Sequence, residues 1–152
     1  MAFPERGSAS MDIAAAPEQV WALVADITRM GEWSPECFVA EWEDGSSSPA
    51  VGAHFHGSNR AGTYEWTVPC EITECEPGKV FEFVAPRGND VVTRWRYEFA
   101  PNASGGTTVT ESFDAPLINV PGAGSNFEGR YEMLCAATET TLTNIKNAAE
   151  GS

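Results

Sequence analysis

Glu111 is the residue of this sequence whose surroundings promise the most chemistry. It falls in Thr107 to Asp114, where Val109, Glu111 and Phe113 share one face of an alternating strand. If that face points inward, a carboxyl sits among apolar groups. Desolvation then raises its pKa, and it could serve as general acid or base. Two other readings stand beside this one. Glu111 could lie at a cavity rim and pair with a cation such as Arg130, or its register could turn it to solvent. Arg130 itself could clamp a ligand carboxylate or phosphate, or be a surface residue with a packed stem. His54 and His56 are two apart on a strand and share a face. A third metal ligand is not evident near them, so no metal site is expected, and outward-facing imidazoles are the simpler reading.

The rest of the reactive inventory is ordinary. Cys37, Cys70, Cys75 and Cys135 form no C-x-x-C pair and no zinc spacing. They read as reduced thiols of a cytoplasmic protein. No G-x-S-x-G elbow, dinucleotide fingerprint or Walker pattern occurs, so no cofactor is expected. The chain carries 9 Lys+Arg against 22 Asp+Glu, a formal charge of -13. That balance argues against nucleic acid, whose affinity comes from cations on phosphate, and against an anionic membrane surface. No apolar run approaches the ~20 residues of a membrane span. Residues 1–10 lack the apolar stretch of a secretory signal.

The elements that would position these residues follow from periodicity and punctuation. Residues 1–152 read as a single domain. A strand over Gly7 to Ala14 precedes a helix opened by Pro17, whose missing N–H costs nothing in the first turn. A second short helix over Thr28 to Trp33 must stop before Pro35. Six strands then follow: Phe38 to Glu43, Val51 to Ser58, Tyr64 to Glu74, Val80 to Ala85, Val91 to Phe99 and Thr107 to Asp114. Asn59 to Gly62 is read as a hairpin connection, and Pro69 as the mark of a bulge or an edge. The spacing predicts a long helix over Ser125 to Ala149, capped by Ser125 or Asn126. The Pro/Gly-containing stretch Pro116 to Gly124 reads as a lid over the pocket entrance.

One helix must cover the apolar face of a whole antiparallel sheet. Around Ala136, Ala137, Thr138 and Thr141 that helix is thin in bulk, while inward strand residues include Trp66, Phe81, Phe83, Trp95, Phe99 and Phe113. Either the rings interdigitate with the helix and fill the space, or an apolar pocket persists; pockets of this kind typically hold ~300–1,000 Å³. In the second case the wall is expected to comprise those six residues with Tyr97, Phe127, Arg130, Tyr131 and Leu134.

The carrying segments of a family resemblance are now in view. They are Ala16 to Asp26, Met30 to Glu36, Val51 to Arg60, Glu74 to Lys79, Trp95 to Phe99, Gly105 to Ser112 and Leu142 to Glu150. Together they resemble the polyketide cyclase/dehydrase and lipid-transport branch of the START-like superfamily, often called SRPBCC. The resemblance covers nearly the whole chain. It implies an α+β helix-grip fold: a curved seven-stranded antiparallel sheet around a long C-terminal helix, with two short helices after strand 1. It also implies binding or carriage of a small hydrophobic ligand, such as a lipid, polyketide or aromatic metabolite. A cyclase/dehydratase using Glu111 is the alternative, and a partner-binding protein regulated by its cavity a third. A monomer or homodimer is expected.

Overall fold

The structure, a computed structural model, describes residues 2–122, 126 and 128–151, apart from the side chains at 61 and 87. Seven strands form one antiparallel sheet: β1 (Arg6–Ile13), β2 (Cys37–Glu43), β3 (His54–Ala61), β4 (Tyr64–Glu76), β5 (Val80–Arg87), β6 (Asp90–Pro101) and β7 (Thr107–Asp114). Their order is β1-β7-β6-β5-β4-β3-β2. Between β1 and β2 lie helix α1 (Pro17–Ala25) and a 3-10 turn, Ile27–Glu32; the long helix α2 is Arg130–Glu150. The seven strands and the long closing helix agree with the expected architecture.

Three departures from the sequence reading stand out, beyond shifts of one or two residues at other strand ends. β3 begins at His54 and runs on to Ala61, and only Gly62 and Thr63 separate it from β4. Asn59 and Arg60, read as turn residues, instead pair with Trp66 and Glu65 across the hairpin. An Arg60–Glu65 ion pair at 3.2 Å supports that register, and Gly62 takes the positive φ the turn requires. The long helix starts at Arg130, because Gly129, at φ 91°, turns the chain immediately before it. Ser125 lies outside the described residues. Asn126 caps nothing: its amide donates to the carbonyl of Ile118 at 2.7 Å. Finally, the bulge in β4 falls between Ile72 and Glu74, not at Pro69. The β4–β5 ladder stops at the Glu71–Val84 pair, so Pro69 pairs only with His56 of β3 and its missing N–H breaks no ladder.

Burial follows the alternation. β7 reads buried and half-buried in strict turn, with Thr107, Val109, Glu111 and Phe113 inward. The main core lies where α2 crosses the sheet beside α1: Leu142 and Ile145 pack with Val20, Val24, Ile72, Phe81 and Phe99. A second cluster of Phe113, Ala115, Ile118 and Leu134 closes the region near the start of α2, with Tyr131 and Phe3 against it. Within the stretch expected to form a lid, Ile118 belongs to this second cluster. Ile118 is fully buried, and Asn119 exchanges two hydrogen bonds with the backbone of Phe3. Residues 123 and 124 of that stretch lie outside the described residues.

Close backbone contact fixes the 3-10 turn against the sheet. A Cβ on Gly31 would sit 2.3 Å from the carbonyl oxygen of Phe38, so only glycine lets the turn approach β2 this closely. Ser34 continues the anchoring by accepting from the amides of Glu36 and Cys37. These contacts set the position of Met30, Ser34 and Glu36, which matter below.

Candidate ligand-binding site

Between the two clusters, sheet and helix stand apart. The gap is a cavity of about 160 Å³. At ~30 Å³ per liquid water it would hold about five. It is smaller than the drug-sized range expected from the sequence, and close to the ~150 Å³ apolar cavity known to accept benzene. Its cause is the helix face. Arg130, Ala137 and Thr141 are the α2 residues on the wall, and the two inner ones are small. The space is not filled by rings because they pack against one another. Phe55 and Phe83 meet edge-on at 5.2 Å, while Phe81 and Phe83 at 5.9 Å and Trp95 and Phe113 at 5.7 Å are tilted pairs.

Of the residues named from the sequence, the structure brings Trp66, Phe83, Trp95, Tyr97, Glu111 and Arg130 together on this wall. It places Phe81 and Phe99 in the main core, and Phe113, Leu134 and Tyr131 in or against the second cluster, away from the wall. Phe81, Phe99 and Phe113 point inward as alternation predicts, while Tyr131 and Leu134 lie on α2. All five miss the cavity because they are packed into the two clusters on either side of it. Phe127 lies outside the described residues. Strand and helix patterns also give no hint of Met30, Ser34 and Glu36, which reach the wall from the 3-10 turn and the segment between it and β2. Cys37 and Cys70 also line the wall, and burial pushes their thiols up to about 11 and about 12, which keeps them protonated and unreactive.

Two carboxyl side chains are buried among the described residues, and their environments differ. Glu82 sits on the opposite face of the sheet, 5% exposed. Its oxygens accept from Thr73 Oγ1 at 2.7 Å, Arg94 at 3.0 Å and Arg96 at 2.9 Å. Burial pushes its pKa up, but those donors outweigh it and hold the group below the usual range. Glu111 is 2% exposed and lines the cavity. Tyr97 donates to its Oε2 at 2.9 Å, while Oε1 is buried with no partner among the described residues. Burial therefore wins, and the Glu111 pKa is pushed up to about 8. The solvent-facing and Arg130-paired alternatives for Glu111 are both set aside. Glu82 is a satisfied structural group; Glu111 is a neutral acid with an unused oxygen.

At the other end of the cavity Arg130 bonds Glu36 at 2.7 Å, with side chains 14% and 17% exposed. Arg130 thus neither pairs with Glu111 nor stands free. The histidines lie off this wall among carboxylates, His54 with Glu71 at 3.2 Å and His56 with Glu43 at 3.0 Å. No helix among the described residues is long and apolar enough to cross a membrane.

Comparison with known proteins agrees with this architecture. The model of a family described as "Polyketide cyclase / dehydrase and lipid transport" matches residues 5–150. A Polyketide_cyc-like protein from Corynebacterium glutamicum, Cgl2372, is 32% identical with a TM-score of 0.65. The match covers 99% of this chain and 94% of that one. The di-domain ARO/CYC StfQ from the steffimycin biosynthetic pathway shares the fold, at 16% identity and a TM-score of 0.72, over 96% of this chain and 50% of that one. An uncharacterized protein of Mycobacterium tuberculosis, Rv0088, is 28% identical over 96% of this chain. The chain spans 65% of the length of that relative.

Proposed function

Since the chain belongs to the polyketide cyclase/dehydrase and lipid-transport family, we propose that it binds or carries a small hydrophobic molecule in the cavity between sheet and long helix. The observation that carries this reading is the cavity itself, walled by Phe83, Trp95 and Tyr97 and left open by Ala137 and Thr141. Its size favours one ring or a short chain segment inside, over a whole lipid chain. Affinity comes from apolar burial, roughly 25 cal/mol per Å² before ordering costs. Native mass spectrometry of the purified protein, followed by titration of an aromatic, polyketide and lipid panel, tests it. A retained ligand, or micromolar to millimolar binding of ring-sized members, is expected. No retained ligand and no binding from the whole panel would overturn the reading.

A second reading is favoured by one observation, the neutral carboxyl at the cavity wall. A cyclase or dehydratase needs a group that still holds its proton near neutral pH and can pass it to a bound ketide, and Glu111 beside Tyr97 has that property. With a ketide substrate, Glu111→Gln is then expected to lower kcat by about 10²–10⁴. Unchanged turnover removes this reading and leaves the binding one.

A further inference from the structure

The cavity has two chemically different ends. At the outer end Arg130 and Glu36 neutralise each other at 2.7 Å. At the buried end Tyr97 and Glu111 form a pair with unequal use of its atoms. Tyr97 donates its hydroxyl hydrogen to Oε2, which makes Oε2 the acceptor oxygen of the carboxyl. The proton of the neutral acid then resides on Oε1, the one oxygen of the pair that meets no protein group. A buried donor left unmatched costs about 1–3 kcal/mol, so a guest that supplies an acceptor there gains over one that does not.

From this geometry we propose that the buried end of the cavity takes a neutral hydrogen-bond acceptor, a ketone- or ester-type carbonyl carried on a ring, and rejects carboxylates. The proposal rests on the cavity being a ligand site and states what that site selects. Rejection of carboxylates follows from the surroundings. The titratable groups facing the cavity are Tyr97 on β6, Cys37 on β2, Cys70 on β4, Glu36 before β2 and Arg130 on α2. Burial holds the tyrosine and both thiols protonated, and the single cation is taken by Glu36. An anion at the buried end would meet no compensating charge. The same arrangement makes selection pH-dependent: once Glu111 loses its proton, Oε1 changes from donor to acceptor and repels a carbonyl oxygen.

Three single-ring probes of similar size separate the possibilities: ethylbenzene, acetophenone and benzoate, titrated at pH 6.5 and 9.5. The ratio of acetophenone to ethylbenzene affinity is the readout, because the different water solubility of the two probes cancels between conditions. A fall of about 5–10-fold in that ratio from pH 6.5 to 9.5 is expected, the worth of one buried hydrogen bond. Glu111→Met should show the low ratio at both values. Glu111→Gln, whose amide still donates, should keep the high ratio at both. Benzoate should bind at least tenfold more weakly than acetophenone at pH 6.5. A ratio that moves with neither pH nor variant, while both neutral probes bind, overturns the proposal and leaves the cavity reading intact. Benzoate binding as tightly as acetophenone also overturns it. Failure of all three probes to bind overturns the cavity reading itself.

Discussion

Replacing Glu111 by glutamine should make the protein more stable than its parent at pH 9 and leave the two nearly equal at pH 4.5. The sign follows from where the proton sits. The ordinary value for a glutamate is 4.5, and burial lifts Glu111 to about 8 in the fold. Between those values the native state holds a proton that the unfolded chain has released. Stability therefore falls as pH rises through that window, being fully present below about 4.5 and lost as pH passes 8. At 1.36 kcal/mol per pH unit the loss is on the order of 3–5 kcal/mol, a large share of a typical ~5–15 kcal/mol domain. Glutamine still accepts from Tyr97 but cannot ionise, so the variant escapes the loss. Glu82 moves oppositely, its lowered pKa adding stability that disappears in acid. It contributes equally to both proteins and cancels in the difference. Urea unfolding at pH 4.5, 7 and 9 reads that difference directly. A constant difference across the range would show that Glu111 is ionised, or solvated, in the folded protein.

Filling the cavity from the helix side should abolish guest binding without unfolding the protein. Ala137 is the place, since it lines the cavity from α2 and is half-buried. A phenylalanine there projects its ring into the cavity that Phe83 and Trp95 face from the sheet. The added ring occupies existing space, so overpacking should cost no more than about 1–3 kcal/mol. Affinity for ring-sized guests should fall more than tenfold, measured by calorimetry beside a urea unfolding curve. Retained affinity with retained stability would mean that guests bind elsewhere on the molecule.

Much of this fold was legible because one face of each element is buried. Strict alternation over Thr107–Asp114 announced that Glu111 shares a face with Val109 and Phe113, and that is where it lies. The small residues at 137, 138 and 141 announced a thin helix. What periodicity could not tell was which inward residues the helix covers. Phe81, Phe99 and Phe113 face inward like Phe83 and Trp95, yet only the latter two reach the cavity. That distinction depends on the crossing of α2 over the sheet and on the contact of Gly31 with Phe38, which no local pattern encodes. Loop residues were hardest of all. Glu36 reaches Arg130 across 94 positions of sequence, and neither a strand nor a helix repeat marks it.

Magnetic resonance puts the void between sheet and helix to its simplest trial. With methyl-labelled alanine and added acetophenone, the guest's ring protons should give cross-relaxation peaks to the methyls of Ala85 and Ala137, which face the gap from opposite sides. If those methyls instead contact only the indole protons of Trp66 or Trp95, whatever the guest concentration, the space is closed and the protein holds nothing there.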